Sequence, residues 1–355
     1  MMTTTTTTAL SVPDAGSPFE RRSIERRDLG AHDVRIDITF AGICHSDIHQ
    51  ARDEWGGATF PMTPGHEILG TVSGVGDQVE RFTVGDTVGV GCFVDSCLDC
   101  PACREGEEQF CREGVVQTYN SVGEDGETTY GGYSQQVVVR DHFVLRIPAG
   151  LDHAEATPLL CAGITTYAPL KRYGAGPGTT VAVVGMGGLG HVAVKIAVAM
   201  GAEVTVLSRT DGKKADGLAF GAVDYRATED GQVFEDLAGH FDLIINTVGA
   251  GIDLDAHFGL LGRGGTMVNV GAPSEEQSFN IFSLLFMRRN YAGSMVGGLP
   301  ETQEMLDFCA EHGIGSTVEV ITADQVDEYY DKVVAGEVRY RAVIDVASLT
   351  EQSAA

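Results

Sequence analysis

The stretch Val181-Ala-Val-Val-Gly-Met-Gly-Gly-Leu-Gly190, continued by His191-Val-Ala-Val-Lys-Ile-Ala-Val-Ala-Met200, decides the fold. A short β-branched run stops at a glycine loop, and the loop opens into a segment of helical period, so the stretch reads as strand, tight turn, helix. Gly185 permits the turn, Gly187 lets backbone approach a pyrophosphate, and Gly190 lets the helix lie close on the strand. The helix N-terminus then offers free N–H groups and partial positive charge to phosphates. A second strand, Glu203-Val-Thr-Val-Leu207, follows on cue. The unit therefore reads as the βαβ of a dinucleotide-binding domain rather than a bare structural turn. Residues 181–207 have the length of a membrane span, but Lys195, Glu203 and the glycines mark a buried core instead.

Strand patterns recur downstream at 224–225, 243–246, 266–270 and 291–295, with helical segments between them. That alternation predicts a parallel, doubly wound sheet. Upstream, residues 34–40 alternate apolar and polar, and short turn-bounded strands follow near 71–76, 84–91 and 131–140. This half is β-rich and punctuated by glycine. Residues 158–167 look helical and lead into the nucleotide unit. After Gly297 come a helix around 303–311, a strand at 318–321, a helix at 323–335 and a strand at 342–346, read as returning to the first domain. The expected organisation is an α/β fold of two domains: residues 1–156 with 297–355, and residues 157–296. The start of the chain, with its threonine run at 3–8, reads as low-complexity and partly disordered.

Charge narrows the function classes. With 24 Lys and Arg against 50 Asp and Glu, the formal net charge is −26, which repels nucleic acid and anionic membrane surfaces. The N-terminus lacks the basic region and apolar core of a secretory signal, so the expected location is the cytoplasm. In that compartment eight cysteines are metal ligands sooner than disulfides.

Four of them lie in Cys97-Leu-Asp-Cys-Pro-Ala-Cys-Arg-Glu-Gly-Glu-Glu-Gln-Phe-Cys111. Such tight spacing on a loop lets the Cys97, Cys100, Cys103 and Cys111 thiolates converge tetrahedrally on one Zn²⁺ with no open position, a structural site. An iron–sulfur cluster is the chemical competitor. Cys92 and Cys309 are expected to be buried free thiols. A second set is dispersed: Cys44 in Gly42-Ile-Cys-His-Ser-Asp-Ile-His49, His66 in Pro64-Gly-His-Glu-Ile-Leu-Gly70, and Cys161 just before the nucleotide unit. Singly, each is an ordinary core residue. Together, two thiolates and one imidazole leave a fourth position for water or substrate, the arrangement of a catalytic zinc.

Gly65, His66, Glu67, Gly70, Gly76 and Val79 fill a G-H-E-x2-G-x5-G-x2-V pattern, which resembles the signature of zinc-containing alcohol dehydrogenases of the medium-chain dehydrogenase/reductase superfamily. The segment 42–49, Glu54-Trp-Gly56, the four-cysteine lobe, Cys161-Ala-Gly-Ile-Thr-Thr-Tyr167 and Val338-Arg-Tyr-Arg-Ala-Val-Ile-Asp345 resemble its cinnamyl-alcohol-dehydrogenase branch. The likeness runs from about residue 20 to about 347. It implies a GroES-like β-rich catalytic domain joined to a Rossmann-type domain, a homodimer, and two zinc ions per chain.

Residue by residue, the resemblance makes Cys44, His66 and Cys161 the catalytic-zinc ligands and Glu67 a transient ligand. Asp47 becomes the outer partner of His66, and Ser46 and His49 the proton relay. Asp47 and Ser46 also read as helix caps. Trp55 resembles the branch's substrate-pocket aromatic, with a packed loop anchor as its other reading. Gln117 stands where plant members often carry a bulky aromatic, which argues against strict use of lignin-type alcohols. The implied activity is hydride transfer between a nicotinamide cofactor and aromatic or medium-chain aliphatic primary alcohols and their aldehydes. A polyol or mannitol dehydrogenase, and a non-catalytic zinc- and nucleotide-binding protein, are the alternatives.

The cofactor reading turns on the end of the second strand. An NAD site needs a carboxylate there for the ribose 2′-hydroxyl. Ser208 and Arg209 occupy that place, Asp211 comes later in the turn, and Glu203 is at the wrong end. Ser208, the Arg209 guanidinium and the Lys213 ammonium suit a 2′-phosphate, so NADP(H) is expected. Further cofactor contacts implied by the resemblance are Thr165, Gly188, Leu189, Thr247, Val270, Gly271 and Arg341.

Overall fold

The computed structural model describes residues 4–123, 125–273 and 275–350. The chain folds into two compact units, residues 1–161 with 297–355 and residues 162–296. No helix among the described residues is long and apolar enough to cross a membrane.

The contiguous unit is a six-stranded parallel sheet. Its spatial order is Asp224–Ala227, Glu203–Ser208, Thr180–Val184, Phe241–Asn246, Leu261–Asn269, Asn290–Gly293. The order reverses between Thr180–Val184 and Phe241–Asn246, and in such sheets ligands bind outside the carboxyl ends at that reversal. The central strands are buried on both faces: Val181, Ala182, Val183, Val204, Val206, Ile244 and Ile245 are fully enclosed. This is why they read as unbroken apolar runs rather than alternating ones. Leu261–Asn269 begins earlier than its apolar stretch, because Gly262, Arg263, Gly264 and Gly265 carry no strand signal.

The other unit is a seven-stranded sheet in the order Val318–Ile321, Arg341–Asp345, Asp33–Ile43, Ile68–Val75, Thr87–Val90, Leu145–Arg146, with Gln136–Arg140 also paired to Asp33–Ile43. The long strand Asp33–Ile43 is the hub: it pairs with Arg341–Asp345, Ile68–Val75 and Gln136–Arg140. Its even positions Val34, Ile36 and Ile38 face the core.

The threonine-rich start is ordered, against expectation. Thr4–Ser11 is a strand paired antiparallel with Glu20–Arg27, the β-branched threonines suiting an extended backbone. Low complexity was a poor guide here, because a paired strand needs residue type more than variety. Residues 1–3 of that start lie outside the described residues.

Candidate active site

The segment after Asp33–Ile43 turns directly into the helix His45–Ala51, with Cys44 as its N-cap. The Cys44 thiol is thereby placed at a strand-to-helix corner. Asp47, in the first helical turn, accepts the Cys44 N–H at 2.9 Å and lies 3.0 Å from His66 Nδ1. A carboxylate only accepts, so the imidazole donates from Nδ1 and leaves Nε2 free for a metal. The cap reading and the outer-partner reading of Asp47 are both realised by one fully buried carboxylate.

The structure brings Cys44, His66, Glu67 and Cys161 together, one ligand atom of each lying within 4.8 Å of all the others. The Cys161 thiol donating to it, and His66 beside it, hold the Cys44 thiol well below its usual range against the opposing effect of burial. Two soft sulfurs and one nitrogen gathered in a buried site fit Zn²⁺. Burial lifts the Glu67 carboxyl to about 7, with Arg341 opposing the rise.

Arg341 belongs to the unit of residues 1–161 and 297–355, whereas the other residues expected to touch cofactor belong to the 162–296 unit. It is buried in the sheet of the metal-ligand cluster, its Nη2 donating to Glu67 at 2.5 and 2.7 Å and to the Ile43 carbonyl at 2.8 Å. Pairing is what makes so enclosed a charge tolerable. Gly42 is a residue that spacing alone missed: a Cβ there would overlap the Glu67 carboxylate.

Ser46 Oγ lies 3.8 Å from Cys44 Sγ. His49, on the same helix, points its Nδ1 at Glu54 Oε2 at 2.5 Å and stacks on Trp55 with centroids 4.8 Å apart. Glu54 was not foreseen, although its position beside the quoted Trp55 was the available signal. Trp55 is 44% exposed and Gln117 is exposed at the end of Val116–Gln117. Cys92 is half-buried rather than buried, with its thiol against Cys161. Its local sequence gave no hint of that company. Cys309 is buried as expected, donating to Met305 Sδ at 3.6 Å.

The four-cysteine lobe is folded without disulfides. Its sulfurs are 3.4 Å (Cys97–Cys111), 3.5 Å (Cys100–Cys103) and 3.9 Å (Cys97–Cys103) apart. A tetrahedral zinc with Zn–S of about 2.3 Å needs sulfurs about 3.8 Å apart, so the set fits. The backbone N–H of Cys100 donates to Cys97 Sγ at 3.3 Å and that of Arg112 to Cys100 Sγ at 3.4 Å. Donation by the Arg112 and Cys103 N–H groups draws the Cys100 thiol down to about 6.

In the other unit, Gly185 has φ +91°, and a Cβ there would meet Thr247 Oγ1 at 2.9 Å. A Cβ on Gly190 would collide with the Gly185 carbonyl, whereas one on Gly187 would meet nothing within 4 Å. Turn, open approach and close packing are thus divided among the three glycines. Gly188 and Leu189 complete the loop ahead of the helix Gly190–Ala199. Thr247 follows Phe241–Asn246, and Val270 and Gly271 follow Leu261–Asn269, at the carboxyl ends of adjacent strands. Ser208 ends its strand half-buried, and Arg209 is exposed beside it. Lys213 folds back onto the loop, its Nζ donating to the Met186 carbonyl at 3.0 Å. Asp211 faces Lys214 at 3.9 Å. Thr165 is buried on Ala162–Arg172.

Residues 30–149 match the family described as the alcohol dehydrogenase GroES-like domain, and residues 188–311 that described as zinc-binding dehydrogenase. A protein of Bacillus subtilis named as a probable formaldehyde dehydrogenase is 60% identical over 343 residues, covering 97% of this chain and 98% of that protein. An NADP-dependent alcohol dehydrogenase of Mycolicibacterium smegmatis is 55% identical over 97% of this chain and 99% of its own length. The crystal structure of CAD from Helicobacter pylori complexed with NADP(H) superposes with a TM-score of 0.92 at 39% identity, covering 97% of this chain and 99% of that one.

Proposed function

The chain belongs to the zinc-containing alcohol dehydrogenases of the medium-chain dehydrogenase/reductase superfamily, and from that premise we propose how its residues divide the work. It is a zinc-dependent alcohol dehydrogenase and aldehyde reductase that transfers hydride between NADP(H) and primary alcohols or their aldehydes. Cys44, His66 and Cys161 hold the catalytic zinc, and Cys97, Cys100, Cys103 and Cys111 the structural one. When bound, the catalytic zinc supplies a Lewis acid for the substrate oxygen, and the nicotinamide supplies or accepts the hydride.

The chain's own residues do the rest. Asp47 orients His66. Ser46 passes the substrate hydroxyl proton towards His49, and the His49–Glu54 pair hands it to solvent; reduction reverses the path. Trp55, stacked on His49, offers an aromatic wall to the substrate. Glu67, backed by Arg341, stands ready as a transient ligand when water and substrate exchange. Ser208, Arg209 and Lys213 receive the 2′-phosphate of NADP. The substrate range is aromatic and medium-chain aliphatic. The single observation that carries this reading is the buried gathering of two thiols and an oriented imidazole at one point.

The chain is also read as a cytoplasmic homodimer with small-molecule substrates. The edge strand Asn290–Gly293 and the neighbouring helix Phe282–Leu285 support the dimer: Ile281, Phe282, Leu285 and Phe286 are exposed, Phe286 by 80%. An uncovered apolar edge of this kind favours pairing with a second copy.

A kinetic panel with benzaldehyde, hexanal and a polyol, each with both nicotinamide cofactors, tests the assignment. The expected ranking is benzaldehyde above polyol, with NADPH well above NADH. Ser208→Asp with Arg209→Ile removes two charge-assisted contacts of about 1.5–3 kcal/mol each and shifts the preference towards NADH by one to several orders of magnitude. Equal kcat/KM for both cofactors in the unaltered enzyme overturns the cofactor assignment, and polyol turnover above aldehyde turnover overturns the substrate class.

A further inference from the structure

Asp47 receives more donors than a metal-ligand partner requires. Its Oδ1 accepts from the Gly65 N–H at 3.2 Å and from His66 at 3.0 Å. Its Oδ2 accepts from the Cys44 N–H at 2.9 Å and from the Tyr133 hydroxyl at 3.4 Å. Three of these donors lie on the two ligand-bearing segments. Tyr133 comes from a different segment, and it is fully buried.

Its segment is strapped to the one that carries His66. Gly131 N donates to the Thr63 carbonyl at 2.8 Å, Tyr133 N to that of Pro64 at 3.0 Å, and Gly132 N to that of Gly65 at 2.8 Å. The N-terminal hairpin grips the strap in turn. Arg26, 8% exposed, donates from Nε to the Gln136 carbonyl at 2.9 Å and from Nη1 to that of Tyr130 at 2.6 Å. Its Nη2 reaches the Gly131 carbonyl at 2.9 Å and Ser134 Oγ at 2.7 Å. These four bonds go to uncharged acceptors, so the guanidinium serves as a planar clamp on one loop. Leu10 N adds a bond to the Tyr133 carbonyl at 2.8 Å, and the Ser11 and Thr63 hydroxyls meet at 2.8 Å. On the far side the Tyr330 hydroxyl lies 3.4 Å from that of Tyr133, and Phe19 packs edge-on against Tyr330, centroids 5.1 Å apart.

We propose that Tyr133, clamped by Arg26, is a positioning residue for the catalytic metal. By engaging Oδ2 it stops the Asp47 carboxylate from rotating, and so holds the Cys44 backbone and the His66 imidazole in fixed register. The N-terminal hairpin is then a working part of the metal site. The inference rests on the assignment of Cys44, His66 and Cys161 as the catalytic-zinc ligands. Partners one step out from the ligands typically govern metal affinity by about 10–100-fold.

The test is the rate at which the intact protein gives up zinc to a chromogenic chelator. Unaltered protein should release two zinc ions per chain in separate phases, and Cys161→Ser, by losing one, identifies the catalytic phase. In Tyr133→Phe the catalytic phase should quicken by about 10–100-fold while the four-cysteine phase stays put. Arg26→Lys, which keeps the charge and loses the fork, should move the same phase in the same direction, and it decides the matter if Tyr133→Phe does not fold. The absorption bands of cobalt substituted at the catalytic site should shift in both variants. A catalytic phase unchanged within twofold, or both phases quickened together as general loosening would do, overturns the proposal. If unaltered protein holds a single zinc that Cys161→Ser retains, the underlying ligand assignment falls and the proposal with it.

Discussion

The two cysteine clusters share thiolate ligands, one adding an imidazole, and are built in opposite ways. The lobe takes Cys97, Cys100, Cys103 and Cys111 from one loop, and the loop's own N–H groups satisfy the sulfurs. The other cluster takes Cys44, His66 and Cys161 from three distant segments, and a buried carboxylate holds two of those segments in register. The local site is closed and asks little of the rest of the chain. On the proposed assignment of Cys44, His66 and Cys161, the assembled site keeps one position open beside Glu67 and draws its shape from distant strands. Closure and local assembly suit stability, whereas an open position and distant assembly suit chemistry.

The largest effect that would break this contrast is on the open site. Cys44→Ser should lower kcat/KM by at least about 10³-fold, about 4 kcal/mol of transition-state stabilisation, with circular dichroism and lobe zinc unchanged. Near-normal turnover in a well-folded Cys44→Ser protein would erase the distinction.

A histidine–glutamate pair stands by each cluster, which sharpens the comparison. His49 meets Glu54, and His142 Nε2 lies 2.8 Å from Glu108 Oε1. Glu108 also accepts the Leu299 N–H at 3.0 Å, at the start of Leu299–His312. On the proposed assignment, only the open site needs a proton path. His49→Ala should therefore slow alcohol oxidation by about 10–100-fold, less than a direct acid–base group contributes because solvent bypasses the relay. The loss should be deepest at the acid end of a pH–rate profile, where hydroxide is scarce. His142→Ala should leave turnover within about twofold; equal losses in the two variants would remove His49 from a specific role.

Among the ligand substitutions, the smallest effect on turnover belongs to the closed site. Cys100→Ser should keep kcat per folded molecule within about threefold while the melting temperature falls several degrees, as expected when a structural metal is lost. Thermal melts alongside active-site-normalised kinetics check this. A turnover loss as deep as that of Cys44→Ser would show that the lobe is not merely structural.

Legibility in the chain follows the same division. The lobe and the glycine loop were readable because their geometry is set by neighbours a few residues away: Gly185 takes the positive φ and Gly190 the close packing that their spacing implies, and Gly187 faces open space. The dispersed ligands and the pairing of Asp47 with His66 were suspected from their company, yet Arg341 as the partner of Glu67 and Tyr133 as a further partner of Asp47 were not. Arg341 meets Glu67 through the pairing of Arg341–Asp345 with Asp33–Ile43, and Tyr133 reaches Asp47 across a strap of backbone bonds. Contacts of that kind depend on topology, which has no local signature. The threonine run failed as a reading for the same reason, since its pairing partner lies in the following segment and not in its own composition.

The place of Arg341–Asp345 in its sheet also sets an order of events during synthesis. This strand lies between Val318–Ile321 and Asp33–Ile43, pairing Ala342 with Ile43 and Val343 with Gly42. The ribosome delivers it only after residues 162–296 have emerged in full. The contiguous nucleotide unit therefore has all its strands while the other unit still lacks an interior one. Pairings so distant along the chain are the slow ones to form, and units of a larger protein fold piecewise. The metal-binding half, although begun first, is the last to close, and until it does the hub strand presents an unpaired edge at Gly42 and Ile43, one residue from the Cys44 ligand.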